Sequence, residues 1–336
     1  VYVAATASGA VILIGSVAAT VARVPALAAG SVVLFGVFGA VCAFVLARIH
    51  YFHPAGRDVR ALAALWGAAA AIGYALTANR AIYQHFADRG DPAGWSLFAP
   101  FTEEPIKDLG IVVVLLLAST RPRTALDGLV AGSFVGLGFE VVENVVQSLN
   151  NAIAASPPGH PGQWESLTAD VIHEVVRRSW TGHIVITGIA GFGIAYAMTE
   201  RSRAKPQRWT VASALVLMAL AGHLLWNSHR FGIFYVVGQF GVLAIYLWLI
   251  RMGRAQEALL YPPYLDYVAP SVVDPALRGS LASATARRAY RRDSPSRGPA
   301  RTRQRTVARL AVAIANGDAG TAHACVQRLD GQPRSG

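Results

Sequence analysis

An all-α, polytopic transmembrane bundle is the fold class this sequence predicts, on three observations. Hydrophobic residues make up 54% of the 336 positions, charged residues only 15%, and the mean hydropathy is +0.40. A soluble domain carries roughly 25% charged residues, so the composition excludes a soluble globular chain. The apolar residues also gather into stretches long enough to cross a bilayer, which needs about 20 residues per helix at 1.5 Å rise.

Taken in order, apolar stretches fall at 3–22, 26–49, 59–78, 98–118, 125–149, 182–199, 210–227 and 233–252, giving about eight spans. The first has no Lys or Arg before it and so lacks the basic region of a cleaved signal peptide; it reads as a retained helix. The fourth carries acids in its first third. The fifth repeats glycine at Gly128, Gly132 and Gly136, a four-residue ridge along which a neighbouring helix can approach closely. Between the fifth and sixth lies a long segment, 151–180, holding Ser-Pro-Pro-Gly-His-Pro-Gly, read as an outer loop serving as a lid or re-entrant element.

Orientation follows from the basic residues. With the N-terminus inside, the three short inner loops hold nine Lys and Arg (Arg48, Arg57, Arg60; Arg121, Arg123; Arg201, Arg203, Lys205, Arg208). The outer segments hold six: Arg23, Arg80, Arg89, Arg177, Arg178 and Arg230. The positive-inside rule then sets both termini in the cytoplasm of a multi-pass cell-membrane protein. The chain divides into a transmembrane domain, 1–255, and an Arg-rich tail, 256–336, expected to be largely disordered, with a short amphipathic helix over 306–329. Much of the net charge of +11 lies in that tail, so it marks a solvated positive-inside segment rather than a nucleic-acid binder. Anionic lipid headgroups are its other expected contact, at about 1 kcal/mol per basic residue near the surface. Cys42 lies in a span and Cys325 near the end of the tail, so no structural disulfide is expected, and there is no CxxC metal pair.

The polar residues inside the spans carry the functional argument, because carboxylates in a bilayer are costly and retained for a reason. Glu103, Glu104 and Lys107 open the fourth span; Glu140, Glu143 and Asn144 sit in the fifth; His183 starts the sixth; His223 and Asn227 end the seventh. At the helical rise Glu140 and Glu143 lie roughly 22 to 27 Å along an outward-running helix. The other three groups reach a similar level from helices of alternating direction, so Glu103, Glu104, Glu143, His183, His223 and Asn227 are expected to line one cavity in the outer half of the membrane, open to the extracytoplasmic side, with Lys107, Phe139, Glu140 and Asn144 supporting it. Lys107 stands three and four residues from the two acids and can partner a carboxylate on its own helix face. Bland readings stand beside each: helix-end acids complementing the dipole, a buried structural ion pair, histidines that only bridge helices.

The segments FTEEPIKDLG, DGLVAGSFVGLGFEVVEN, TGHIVITGIAGFGIAYA and GHLLWN resemble, in order, the motifs of the PrsW intramembrane proteases, relatives of the CAAX prenyl endopeptidases, over about 95–230. By position, the EExxK-type motif falls on Glu103, Glu104 and Lys107, the FxxxE-type motif on Phe139 and Glu143, and the histidine motifs on His183 and on His223 with Asn227. The resemblance implies a glutamate-dependent protease that cleaves membrane-anchored substrates, in known cases anti-sigma factors, at the extracytoplasmic side. On that reading a Glu of the 103/104 pair is the general base, Lys107 offsets charge, and Glu143 with Glu140 positions a histidine, while His183, His223 and Asn227 orient groups or hold water and oxyanion. No cofactor is required by this scheme. Two alternatives remain open: a zinc-dependent protease using the same histidines and glutamates, although no HExxH is present, and a transporter or receptor using the acids as a proton relay.

Overall fold

The computed structural model describes residues 1–52, 56–90, 94–118, 122–175, 181–228 and 232–330. Arg121, Arg177, Arg178 and Arg230 of the charge count, and the end of the 151–180 segment, lie outside them. The described residues form helices joined by turns and short irregular segments, with no strand among them, and divide into two compact units, one of 1–47 with 55–250, the other of 48–54 with 251–336.

The first unit comprises α1 (Tyr2–Arg23), α2 (Pro25–Leu46), α3 (Arg57–Leu65), a π-helical turn (Trp66–Ala71), α4 (Ile72–Ala87), α5 (Ala99–Leu117), α6 (Ala125–Ala155), α7 (Gly162–His173), α8 (His183–Thr199), α9 (Lys205–Asn227) and most of α10 (Ile233–Leu260). Among the described residues six helical stretches are long and apolar enough to cross a membrane: α1, α2, α3 through α4, α6, α9, and α10 with the turn after it. The other two expected spans are α8, a shorter apolar helix of 17 residues, and α5, which carries Glu103, Glu104, Lys107 and Asp108 within 19. Both helices that miss the criterion bring polar groups to the site described below.

Helix α6 is the hub. It starts at a capping box, Thr124 with Asp127, which satisfies two N-terminal donors reciprocally. Its most apolar window is 89% buried, against 11% for α1, so α6 is packed by protein while α1 presents apolar side chains outward, as a lipid-facing helix does. Around α6 lie α8, α2, α3, the π turn, α5 and α7. The close crossings use glycine where a side chain would obstruct. A Cβ on Gly128, Gly132 or Gly136 would collide with the backbone oxygen of Gly191, Thr187 or His183 on α8, and a Cβ on Gly138 or Gly67 with backbone between α6 and α3 or the π turn. The expected glycine ridge is therefore the α6–α8 seam. The segment after α6 is more ordered than the expected outer loop: α6 runs on to Ala155 and α7 occupies Gly162–His173. Leu149, Ala152 and Leu167 pack with Leu27 and Phe35 of α2 in one apolar cluster, which gives this segment a buried side of its own.

The second unit corrects the expectation of a largely disordered tail. After a 3₁₀ turn (Pro262–Tyr267) come α11 (Pro275–Gly279), α12 (Ala284–Asp293), α13 (Arg297–Asn316) and α14 (Ala319–Asp330). Arginine dominates the composition, but Val307, Leu310, Ala311 and Ile314 recur at helical spacing on α13 and pack with Tyr261, Leu265, Leu277, Leu281, Cys325 and Leu329 around a buried core. Asp274 and Ser283 cap α11 and α12 through the amides of Leu277 (2.7 Å) and Ala286 (3.0 Å). Gly317, at φ +69°, ends α13, a left-handed conformation glycine adopts without strain. It divides the single amphipathic helix expected over 306–329 into α13 and α14. Cys42 and Cys325 are free thiols.

Replacing Gly136 by leucine should force α8 away from α6 at His183. Overpacking of this kind costs about 1–3 kcal/mol, so the melting temperature of the purified protein in detergent should fall; an unchanged melting curve would mean the seam is not close-packed.

Candidate active site

Four helices deliver the site. Helix α5 carries Glu103, Glu104 and Lys107 on consecutive turns, α6 carries Phe139 and Glu143, α8 begins at His183, and α9 presents His223 near its end. All but Glu143 among these are buried, and the Glu143 side chain is 15% exposed.

Lys107 is the node. Its Nζ donates to Glu103 Oε2 (3.1 Å), Glu104 Oε1 (3.0 Å) and His183 Nδ1 (3.0 Å), using the three hydrogens of an ammonium. The ring of Phe139 lies 3.7 Å beneath it, close enough for a cation–π contact. An ammonium has hydrogens to give and no lone pair, so His183 Nδ1 accepts and the ring proton sits on Nε2. Nε2 donates in turn to Glu143 Oε2 at 2.7 Å, and Gln147 Nε2 donates to Glu143 Oε1 at 3.0 Å. The chain Gln147–Glu143–His183–Lys107 thus fixes both the orientation and the tautomer of His183. His223 Nδ1 donates to Glu104 Oε1 at 2.7 Å, so in the neutral ring Nε2 is a lone pair, 3.8 Å from Glu103 Oε2.

The two adjacent acids are not equivalent. Glu103 accepts from Asn79 Nδ2 (2.9 Å) on Oε1 and from Lys107 on Oε2. Thr102 Oγ1 orients that asparagine by donating to Asn79 Oδ1 at 2.7 Å. Glu104 takes both of its donors, Lys107 and His223, on Oε1, and its Oε2 is buried without a hydrogen-bond partner. A buried carboxylate oxygen without a partner is costly and calls for an explanation.

Three residues grouped with the site from sequence lie apart from this cluster. Glu140 Oε2 accepts from the backbone amide of Ile184 at 3.2 Å, satisfying an N-terminal donor of α8 and complementing its dipole; it seats the helix that carries His183. Asn227 Nδ2 donates to the Ser96 carbonyl at 2.7 Å, tying the end of α9 to the segment before α5. Asn144 lines a separate polar cavity of about 220 Å³ with Gln147, Asn151 and Asp170. Asn79, Thr102 and Gln147 escaped sequence reading; a lone amide near the end of an apolar stretch, as at Asn79, is the available signal.

Glu103, Glu104, His183 and His223 each offer one ligand atom, and these atoms lie within 4.8 Å of one another. Two imidazoles and two carboxylates suit zinc or a similar divalent ion. The donation of His183 to Glu143 is the outer-shell contact that holds metal-binding histidines, and the unpartnered Glu104 Oε2 offers a further lone pair. The donor set fits a metal, and the Lys107 ammonium lies among the same atoms.

The family described as PrsW family intramembrane metalloprotease matches residues 55–251, more than half of the chain. No curated protein and no solved structure matches it.

Lys107→Met should be strongly destabilising, since removing one partner of a buried ion pair costs about 3–5 kcal/mol. Adding Glu103→Gln should recover part of that loss, so thermal unfolding of the two single variants and the double variant should give a coupling energy on the order of 0.5–3 kcal/mol. Simple additivity would mean that the two groups do not interact.

Proposed function

The chain belongs to the PrsW family of intramembrane proteases, and we propose that it hydrolyses a peptide bond of membrane-anchored proteins with Glu104 as the general base. The observation that carries this reading is the division of labour within Glu104: Oε1 is held by Lys107 and His223, while Oε2 is buried with no partner. A carboxylate so anchored points a basic lone pair at a fixed place, where a water can be held and deprotonated.

Peptide hydrolysis then runs as follows. Water bound at Glu104 Oε2 gives its proton to the carboxylate as its oxygen bonds to the scissile carbonyl carbon. The ammonium of Lys107 supplies positive charge where the oxyanion develops, in a site from which bulk solvent is excluded. As the carbon–nitrogen bond breaks, the proton on Glu104 passes to the leaving amine, so that the base returns to its starting state. Glu103, saturated by Asn79 and Lys107, and Glu143, acting through His183, are positioning residues in this scheme.

A second reading is favoured by the donor set and by the family description. Glu103, Glu104, His183 and His223 would hold a divalent metal, which when bound polarises a carbonyl and acidifies bound water. Glu143 would then act as the orienting partner of His183.

The site belongs, on this proposal, in the outer half of a cell membrane with both termini cytoplasmic, as the basic residues of the loops support. The proposed substrate class is the membrane-anchored anti-sigma factor suggested by the family resemblance.

Glu104→Gln in proteoliposomes containing a membrane-anchored substrate should lower cleavage by about 10² to 10⁴. Glu103→Gln should cost less, because that side chain only positions. Wild-type rates in both variants would exclude a glutamate base, and ion flux without cleavage would favour a relay instead. Metal content and chelation separate the two catalytic readings: stoichiometric zinc, with activity lost on chelation and restored by zinc, establishes the second, and full activity in metal-free protein the first.

A further inference from the structure

The second unit carries a site independent of the proteolytic centre. Between α12 and the start of α13 lies a cleft of about 600 Å³ lined by Arg288, Arg291, Arg292, Arg297 and Arg301, with small residues such as Gly298 giving it room. Among the described residues no acidic side chain lines it. Four acids of the unit are engaged elsewhere, Glu257 with His50, Asp266 with Arg278, Asp274 with the α11 amide and Arg303, and Asp318 with the amide of Thr321, and Asp330 ends α14 outside the cleft lining. Only Asp293, paired to Arg292 at 3.0 Å, offsets charge at its edge.

Helix electrostatics sharpen the imbalance. Arg291 and Arg292 stand in the last turn of α12, where cations are favourable, but Arg297 opens α13, which has no acid in its first turn and no side-chain cap. Cations at that end add to the positive partial charge of the helix dipole, so the free protein holds like charges together with only the Asp293 carboxylate to compensate them. We infer that this cleft binds an anion bearing two or more clustered phosphates. Planar guanidinium groups recognise phosphate oxygens through paired, charge-assisted hydrogen bonds, and a cavity lined by five arginine side chains matches several phosphates better than one. Two sources share this chemistry, a phospholipid headgroup and a soluble polyphosphate.

The test uses the full-length chain in phosphatidylcholine nanodiscs, titrated with tripolyphosphate by calorimetry. Saturable binding is expected, weakened at least about tenfold in R288Q/R297Q/R301Q. It should be nearly unchanged in R305Q/R309Q/R328Q, which removes the same charge from exposed arginines outside the cleft. R288K/R297K/R301K keeps the charge, guards against misfolding of the glutamine variant, and should bind with intermediate strength, because lysine lacks the planar fork. In a second arm, nanodiscs containing diphosphatidylglycerol are analysed for lipid retained by the protein. Enrichment that tripolyphosphate displaces and R288Q/R297Q/R301Q abolishes assigns the lipid source; tripolyphosphate binding without enrichment assigns the soluble one. Absence of both binding and enrichment in the wild type, or equal binding by the cleft and control variants, overturns the inference.

Discussion

The buried ammonium of Lys107 is the constraint around which the transmembrane unit is organised. Taking a cation and three nearby carboxylates out of water costs several kcal/mol per ion unless each finds good partners. The structure meets that demand by drawing four helices to one point: α5 supplies the ammonium and two of the carboxylates, α6 the ring beneath it and Glu143, and α8 and α9 the histidines. Displacing any of these helices leaves charges without partners. The cost of burying the polar groups is thereby turned into precision of placement.

The supporting structure can be read as the consequence of that placement. Close approach of α6 to α8 depends on glycines facing backbone, since His183 reaches Glu143 only if its helix lies against α6. Glu140, accepting from the Ile184 amide in the first turn of α8, holds the same helix from its end. Asn79 and Thr102 form a relay that saturates Glu103 and so leaves Glu104 as the acid with a spare oxygen. Residues on neighbouring turns and helices thus decide which of two adjacent carboxylates keeps an unpartnered oxygen.

The two units follow different physics. In the first, apolar surface faces outward on α1 and charge is gathered inward; in the second, arginines coat the surface of a small apolar core. That contrast explains why composition misled for the tail. Low hydrophobicity and high charge usually mean too little apolar burial to offset chain entropy, yet a periodic stripe of Val307, Leu310 and Ala311 with two capped helices and a glycine stop gives a packed unit.

The sequence by itself determined the all-α membrane class, the approximate helices and the charged and histidine core of the polar cluster, because hydropathy, helical spacing and the cost of intramembrane charge are local properties of a chain. It marked Glu103, Glu104, Lys107, Phe139, Glu143, His183 and His223, all of which meet. It could not separate the roles of Glu103 and Glu104, since adjacent residues on one helix differ only in what faces them. Asn79, the amide of Ile184 and the carbonyl of Ser96 face the site residues from sequence-distant positions, so only the tertiary structure could divide positioning groups from the free oxygen of Glu104, send Glu140 and Asn227 to backbone partners, and place Lys107 among the donors a metal would use. Partners across helices are set by packing, and packing is a property of the whole fold rather than of any stretch of it.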